Sequence, residues 1–236
     1  RIETRRRWTG WDDDGALRIN DESLRPDATI LALGGASWAK LGSDGSWTKL
    51  LAARGVDLAP FRAANVGFTL AWSDIFRDRF AGAPLKGAAF THGGETVRGE
   101  ATIARYGLEG GAIYALSRRL RDAIERDGRA SLTLDLRPDL THADAAVKLG
   151  RTRAGETASN RLRRTLGLSP VAIGLMREAH GAALAVETQA LVAQVKAAAL
   201  TLTGAAPIDR AISTAGGVRF DALTPALELK AIPRTF

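Results

Sequence analysis

Among the hydrophobic segments of the chain, one short unbroken run ends directly in paired glycines, and many hydrophobic positions elsewhere follow strand or helix periodicities. The run covers residues 30–33 and is followed at once by Gly34 and Gly35. An apolar segment without polar interruption is typical of a strand buried on both faces of a parallel or mixed sheet. Because open α/β sheets bind ligands where such strands end, the pattern predicts a ligand site at these glycines.

Other periodicities divide the chain into three parts. An Asp14-Gly15 turn between short apolar segments predicts a hairpin, and a second apolar-to-glycine element occurs at residues 214–218. The intervening stretch predicts strands at 66–72, 87–90, 100–104 and 131–136 and helices at 47–54, 111–126, from Thr141, 170–177 and 188–200. We therefore predict one domain from 1–59 and 207–236. It is interrupted by an insert at 60–206, β-rich over 60–110 and helical over 111–206.

Composition excludes several kinds of chemistry. The 236 residues are 45% hydrophobic and 25% charged, and include three histidines and no cysteine. Disulfides, thiolate metal sites and thiol catalysis are excluded, no metal is expected, and the aspartates at 12–14 are interpreted as a solvated turn. Without an apolar run of about 18 residues or a signal peptide, we expect a cytoplasmic protein with no membrane partner. The net charge of +7 admits an anionic partner.

A series of motifs resembles the BaiN-like flavoproteins, a FAD-dependent family. In chain order the motifs are LALGGASW, GSDG, ANVGF, the pair Leu85-Lys86, GLEGGAIYALS and AISTAGGV, and a bacterial subgroup also carries RWTGW and DGALR before the strand. The resemblance spans the whole chain. It implies an α/β fold in which a two-dinucleotide-binding-type FAD domain is interrupted by an insert with a small β-barrel-like part and a helical part.

The resemblance also implies site residues. The FAD-contacting turn corresponds to Gly34, Gly35, Ala36 and Ser37, and the element near the flavin ring to Thr214, Ala215, Gly216, Gly217 and Val218. Asn65 and Lys86 lie in family motifs that face the region between insert and cofactor, so the resemblance makes them candidate substrate contacts. The alternative reading of both glycine elements is a tightly packed turn. Tyr106, Tyr114 and His92 are conceivable proton donors, and no catalytic residue is assigned.

The chain departs from the family pattern in its phosphate-binding segments. Family members hold the FAD pyrophosphate with a G-x-G-x-x-G loop, which this sequence lacks, and the closing flavin segment would begin after Phe236. The resemblance thus implies a central fragment lacking both termini, which binds FAD weakly or not at all by itself. The parent protein would oxidise or reduce a C=C or C–N bond of an unknown small molecule, with NAD(P)H as a possible electron donor.

Two alternatives remain open. Between residues 118 and 164 the sequence has twelve Lys or Arg against seven Asp or Glu, and this excess of positive charge suggests that the insert binds RNA. Some relatives in the broad family reduce a uridine of ribosomal RNA. The densest basic cluster comprises Arg151, Arg153, Arg161, Arg163 and Arg164. A less favoured alternative is a serine hydrolase, because Gly35 to Ala39 approximates a nucleophile elbow that Asp135 and His180 would complete.

Overall fold

The computed structural model describes residues 2–151 and 153–236, and the chain folds into two compact units. The first unit contains the residues up to Ala63 together with Ile212–Phe236, and the second contains Ala64–Ala211. The expected mixed α/β fold with a barrel-like and helical insert is confirmed. That the first unit is part of a FAD-binding domain, with boundaries at 59/60 and 206/207, stays a prediction.

The first unit begins with an antiparallel meander. Its strands are β1 (Trp8–Trp11), β2 (Leu17–Ile19) and β3 (Glu22–Leu24). The turn between the first two has Gly15 at φ +77°, a conformation that favours glycine. The Asp12 carboxylate accepts the Ala16 N–H (2.8 Å) and the Ser23 hydroxyl (2.7 Å). The predicted hairpin is therefore confirmed, and Asp12 acts as a turn residue.

The rest of the first unit surrounds a small apolar core. Its elements are α1 (Trp47–Ala52), β4 (Leu58–Ala64), β12 (Ser213–Val218) and 3₁₀ turns at Ala39–Leu41 and Phe220–Ala222. The strands β4 and β12 pair with each other. The core consists of Leu51, Val56, Leu229 and Ile232. Residues on either side of the second unit in sequence therefore share one sheet and one core.

Residues 30–33 are not the doubly buried strand that their composition predicts. Ile30 is 79% exposed, and burial alternates along the segment. The backbone pairs in parallel with the end of the chain, where Leu31 N–H donates to Phe236 O (2.7 Å) and Phe236 N–H donates to Thr29 O (2.8 Å). The prediction is wrong because the exposed alternate side chains, Ile30 and Ala32, show that one face of the segment is not covered by packing.

The second unit contains a closed barrel. Its strands, in spatial order, are β10 (Ala198–Leu202), β9 (Ala130–Asp135), β6 (Pro84–His92), β7 (Glu95–Ala104), β8 (Gly107–Glu109), β5 (Phe68–Thr69) and β11 (Gly204–Ala205). All the neighbouring pairs are antiparallel. The first and last strands in this order are consecutive in sequence, and the Thr203 N–H between them donates to Thr69 O (2.8 Å). One extended segment thus closes the barrel, a solution that leaves no long free edge.

The barrel closure explains why one predicted helix is too long. The alanine-rich stretch 188–200 favours helix by propensity, but α8 ends at Lys196 and residues from Ala198 onward form β10. Leu200 pairs with Leu132, and both are buried. Pairing against β9 therefore overrides local propensity, whereas the alternation of Ala198, Leu200 and Leu202 is a strand signal.

Helices make up the remainder of the second unit. They are α2 (Asp74–Phe80), α3 (Gly111–Ala115), α4 (Ser117–Asp127), α5 (His142–Leu149), α6 (Ala158–Leu166), α7 (Pro170–His180) and α8 (Thr188–Lys196). The capping box at Thr141 and the Ser169 cap are confirmed. No helix within the described residues is both long and apolar enough to cross a bilayer.

Two further predictions are corrected. The helix expected over 111–126 is interrupted at Leu116, next to Ser117, whose buried hydroxyl accepts the Val66 N–H (3.4 Å). The strand expected over 66–72 is shorter, at Phe68–Thr69, because β8 and β11, which flank it, are themselves short, although Gly67 O and Leu70 N–H still hydrogen-bond to Ala206 and Tyr106. Helix α6, which carries much of the basic cluster, was not predicted.

Arg161 of α6 links three helical segments from inside the fold. The residue is only 4% exposed. Its guanidinium donates to Leu149 O (2.6 Å), Val186 O (2.9 Å) and Thr188 Oγ1 (2.5 Å). A buried guanidinium is stable only when its donors are satisfied, so Arg161 is a structural residue.

We expect Arg161→Ala to lower the free energy of unfolding by about 2–4 kcal/mol, because it leaves the buried Leu149 carbonyl without its donor and removes the hydrogen bonds to Val186 and Thr188. Urea denaturation followed by circular dichroism measures this. Arg163→Ala is the matched control on the same helix, since Arg163 is exposed, and should change stability by about 0.5 kcal/mol or less. Equal effects of the two variants would contradict a structural role for Arg161.

Candidate functional site

The two predicted glycine elements lie side by side in the first unit. The Ala36 N–H donates to Thr214 Oγ1 (3.0 Å), and the Trp38 indole N–H donates to Ile212 O (3.0 Å). The glycine turn at residues 34–37 thus contacts the start of β12, although 178 residues separate Ala36 from Thr214 in sequence. The structure brings these elements together, and their contact with a cofactor stays a prediction.

Two of the glycines are required by the chain's own packing. A Cβ at Gly35 would lie 2.5 Å from Thr214 Oγ1 and 2.6 Å from Thr214 Cβ. A Cβ at Gly216, where φ is +96°, would overlap the Pro60 carbonyl. These contacts support the interpretation of Gly35 and Gly216 as residues of tightly packed turns. The atoms that approach these two glycines most closely belong to the protein itself.

An apolar cavity extends from this glycine turn. It has a volume of about 460 Å³, within the range of small-molecule pockets. Its lining includes Leu33, Gly34, Trp47 and Val218. The Trp47 indole N–H donates to Gly34 O (3.1 Å), which fixes the ring beside the turn. Each glycine element therefore contributes a wall to one pocket.

The cavity suits the ring of a flavin better than its phosphates. The described residues that line it are apolar or glycine, with no charged side chain. A planar aromatic ring can be buried against such walls, whereas a phosphate needs cations or free N–H groups. The described lining side chains therefore match the apolar dimethylbenzene edge of an isoalloxazine ring, whereas its pyrimidine edge carries polar atoms that need hydrogen-bond partners.

One of the two candidate substrate residues, Lys86, lines a cavity in the second unit. Lys86 is exposed and lines a cavity of about 410 Å³ in the second unit, together with Arg137, Asp139 and the α7 cap Ser169. Asn65 follows β4 at φ +48° and does not line that cavity. Lys86 thus lines a cavity that Asn65 does not line, and the role of both residues as substrate contacts stays a prediction.

Tyr106, a conceivable proton donor, is held by a carboxylate. Its hydroxyl donates to Glu109 Oε2 (2.6 Å), and the Arg210 guanidinium lies 5.4 Å from the ring centre. Burial and, next, the Glu109 contact raise the pKa of the Tyr106 hydroxyl well above its ordinary value of 10.0. The arrangement keeps Tyr106 protonated and directs its proton at Glu109.

The residues of the hydrolase alternative are engaged elsewhere. Ser37 is 5% exposed. Asp135 pairs with Lys196 Nζ (2.6 Å), and His180 Nε2 hydrogen-bonds Gln194 O (3.1 Å). A catalytic triad needs its histidine between serine and acid, so these partners do not favour that chemistry.

The basic cluster is not a continuous cationic face. Arg161 is buried, and Arg164 forms a two-pronged ion pair with Glu156 (2.8 and 2.6 Å). Arg151, Arg153 and Arg163 are the exposed members of the cluster without a carboxylate within ion-pair distance in the described structure. Counting charges along the sequence therefore overstates the surface available to a phosphate backbone.

The chain belongs to a class of α/β proteins in which a closed barrel, joined to a helical part, is inserted between two glycine elements of another unit. The chain is a member of the HI0933-like family, because that family's "HI0933-like protein barrel and H2TH domain" matches residues 62–213, more than half of the sequence. This family is linked to FAD-dependent flavoproteins. No curated protein matches the chain significantly. The flavoprotein resemblance is confirmed at family level, and the bacterial subgroup stays a prediction.

We expect Gly35→Ala to lower the free energy of unfolding by about 1–3 kcal/mol without any ligand, because the new methyl overlaps Thr214. Thermal or urea denaturation measures the loss, and Thr214→Gly in the same chain should recover part of it. Gly111→Ala is the control, since a Cβ added at Gly111 would meet no atom within 4 Å. A Gly35→Ala protein as stable as the parent would show that packing does not require this glycine.

We expect Tyr106 to ionise well above pH 10. The folded protein holds the proton more tightly than the unfolded chain, so this group's contribution to stability is present below pH 10 and lost as pH rises beyond it. Absorbance at 295 nm during a pH titration, with Tyr106→Phe subtracted, isolates its transition. A midpoint at or below 10 would contradict the raised pKa.

Proposed function

We propose that the chain belongs to a FAD-dependent oxidoreductase and that its first unit packs against the isoalloxazine ring. The observation that carries the proposal is the apolar cavity bordered by Gly34 on one side and Val218 on the other. The family resemblance, which rests on sequence motifs alone, assigns both glycine elements to FAD. Membership of a flavoprotein-linked family supports the same assignment.

The chain's own residues would supply position and a dry environment. Leu33, Trp47 and Val218 would hold the ring by apolar contact and exclude water from it. When bound, the flavin supplies hydride transfer to or from a C=C or C–N bond. Gly34, at φ +69° with its carbonyl held by Trp47, would keep the adjoining backbone in place.

The substrate would be a small molecule with an anionic group. Lys86 lies beside Arg137 in one cavity, although Asp139 neutralises part of that charge through a pair of hydrogen bonds (2.9 and 2.7 Å). A carboxylate or phosphate would be attracted to Lys86. We retain Asn65 as a substrate contact and NAD(P)H as the electron donor, on the family resemblance.

Reduction of a ribosomal RNA uridine is the alternative. It would use the exposed arginines 151, 153 and 163, because Arg161 and Arg164 are committed to internal contacts. Because Arg161 and Arg164, two of the five arginines of the densest cluster, are taken up by contacts within the protein, the RNA alternative has less support than the small-molecule proposal.

Riboflavin tests the ring site directly, because it carries the isoalloxazine ring without phosphates. We expect saturable quenching of its fluorescence on titration with the protein, since Trp47 lines the cavity. Leu33→Asp should weaken binding at least about tenfold, because a carboxylate in an apolar cavity loses hydration without gaining a partner.

Ile30→Asp is the matched control, three residues earlier in the same segment and 79% exposed. It should bind riboflavin like the parent, and circular dichroism should show both variants folded. Absence of quenching up to the solubility limit of riboflavin, or equal binding by the two variants, would overturn the assignment of the ring site.

A further inference from the structure

A second cavity in the first unit is rich in arginine. It has a volume of about 390 Å³, and its lining includes Arg25, Arg54 and Arg234. These residues come from three separate places, namely the segment after β3, the turn after α1 and the end of the chain. The fold therefore gathers three cations that are distant in sequence.

The charge of this cavity is not balanced by its own residues. Asp27 is the acid among the described lining residues. No described carboxylate lies within ion-pair distance of the Arg54 or Arg234 guanidinium, whereas Arg6 and Arg164 form close pairs with glutamates. Asp12 attracts Arg25, but its oxygens already accept the Ala16 N–H and the Ser23 hydroxyl. Three guanidinium groups against Asp27 leave the lining with excess positive charge.

The guanidinium groups of Arg25 and Arg54 are oriented without an ion pair to any described residue, and Arg234 is held beside them by its backbone. Arg25 donates to the Asp14 carbonyl (3.2 Å), and the Arg54 guanidinium lies 5.4 Å from the Trp11 ring centre. The Arg234 backbone is fixed at φ +56°, because its carbonyl accepts the Thr29 N–H (2.8 Å) and its N–H donates to the Glu228 carboxylate (2.5 Å). Backbone carbonyls and aromatic faces orient a guanidinium while leaving its charge available to an anion.

We propose that this cavity binds a diphosphate group, either inorganic pyrophosphate or the diphosphate of a nucleotide. Guanidinium groups bind phosphate oxygens in two-pronged fashion, and several of them can share one polyanion. The cavity is larger than a single orthophosphate requires. Its lining shares no residue with the apolar cavity, so the inference is independent of the flavin proposal.

Isothermal titration calorimetry at low salt tests the site with inorganic pyrophosphate and, separately, with ADP. We expect saturable binding that weakens as salt is added, because charge attraction supplies the affinity. Arg54→Gln/Arg234→Gln should weaken pyrophosphate binding at least about tenfold. Tighter binding of ADP would identify a nucleotide as the source of the diphosphate, and equal or weaker binding would identify the free anion.

Arg129→Gln/Arg153→Gln is the charge-matched control, since both arginines are exposed in the second unit and line neither cavity. Removing like charges from the cavity should not unfold the protein, which thermal denaturation without ligand verifies. The proposal is overturned if pyrophosphate does not bind the parent at low salt, or if both double variants lose affinity equally. Neither outcome bears on riboflavin binding.

Discussion

The absence of a side chain at Gly35 is the constraint on which the first unit depends. Thr214 occupies the space that a Cβ would fill, and its hydroxyl accepts the Ala36 N–H at 3.0 Å. The chain leaves this unit after Ala63 and returns at Ile212. Contact at Gly35 therefore joins the segment before the insertion to the segment after it, and the β4–β12 pair extends the same junction.

Because of this constraint, the glycine pair that resembles a cofactor motif also has a role in packing the protein itself. A glycine tolerates the close approach of any body, whether ligand or protein. At Gly35 and Gly216 the approaching atoms belong to Thr214 and Pro60. The same packing, however, leaves Gly34 and Val218 on the walls of one apolar cavity. Glycines required by packing can thus shape a cavity that they do not themselves line.

Local chemistry made some elements predictable and tertiary pairing concealed others. The Asp14-Gly15 hairpin and the Thr141 capping box depend on neighbouring residues, so sequence suffices to find them. The strand at Ala198–Leu202 depends on β9, which lies over 60 residues away, and alanine propensity argues against it. Both candidate glycine elements could be located from sequence, but their mutual contact and the two cavities could not, because these depend on non-local packing.

The density of charged residues along the sequence likewise does not show where charge is concentrated in the folded protein. The arginine cluster around α6 is dense in sequence, yet Arg161 is buried as a helix-joining donor and Arg164 is paired with Glu156. Arg25, Arg54 and Arg234 are scattered in sequence but line one cavity. The first unit consequently holds an apolar cavity beside Leu31 and Phe236 and a cationic one beside Thr29 and Thr235. The backbone around Thr29 and Leu31 pairs in parallel with residues 235–236. This short pairing therefore lies between an apolar cavity and a cavity lined by arginines.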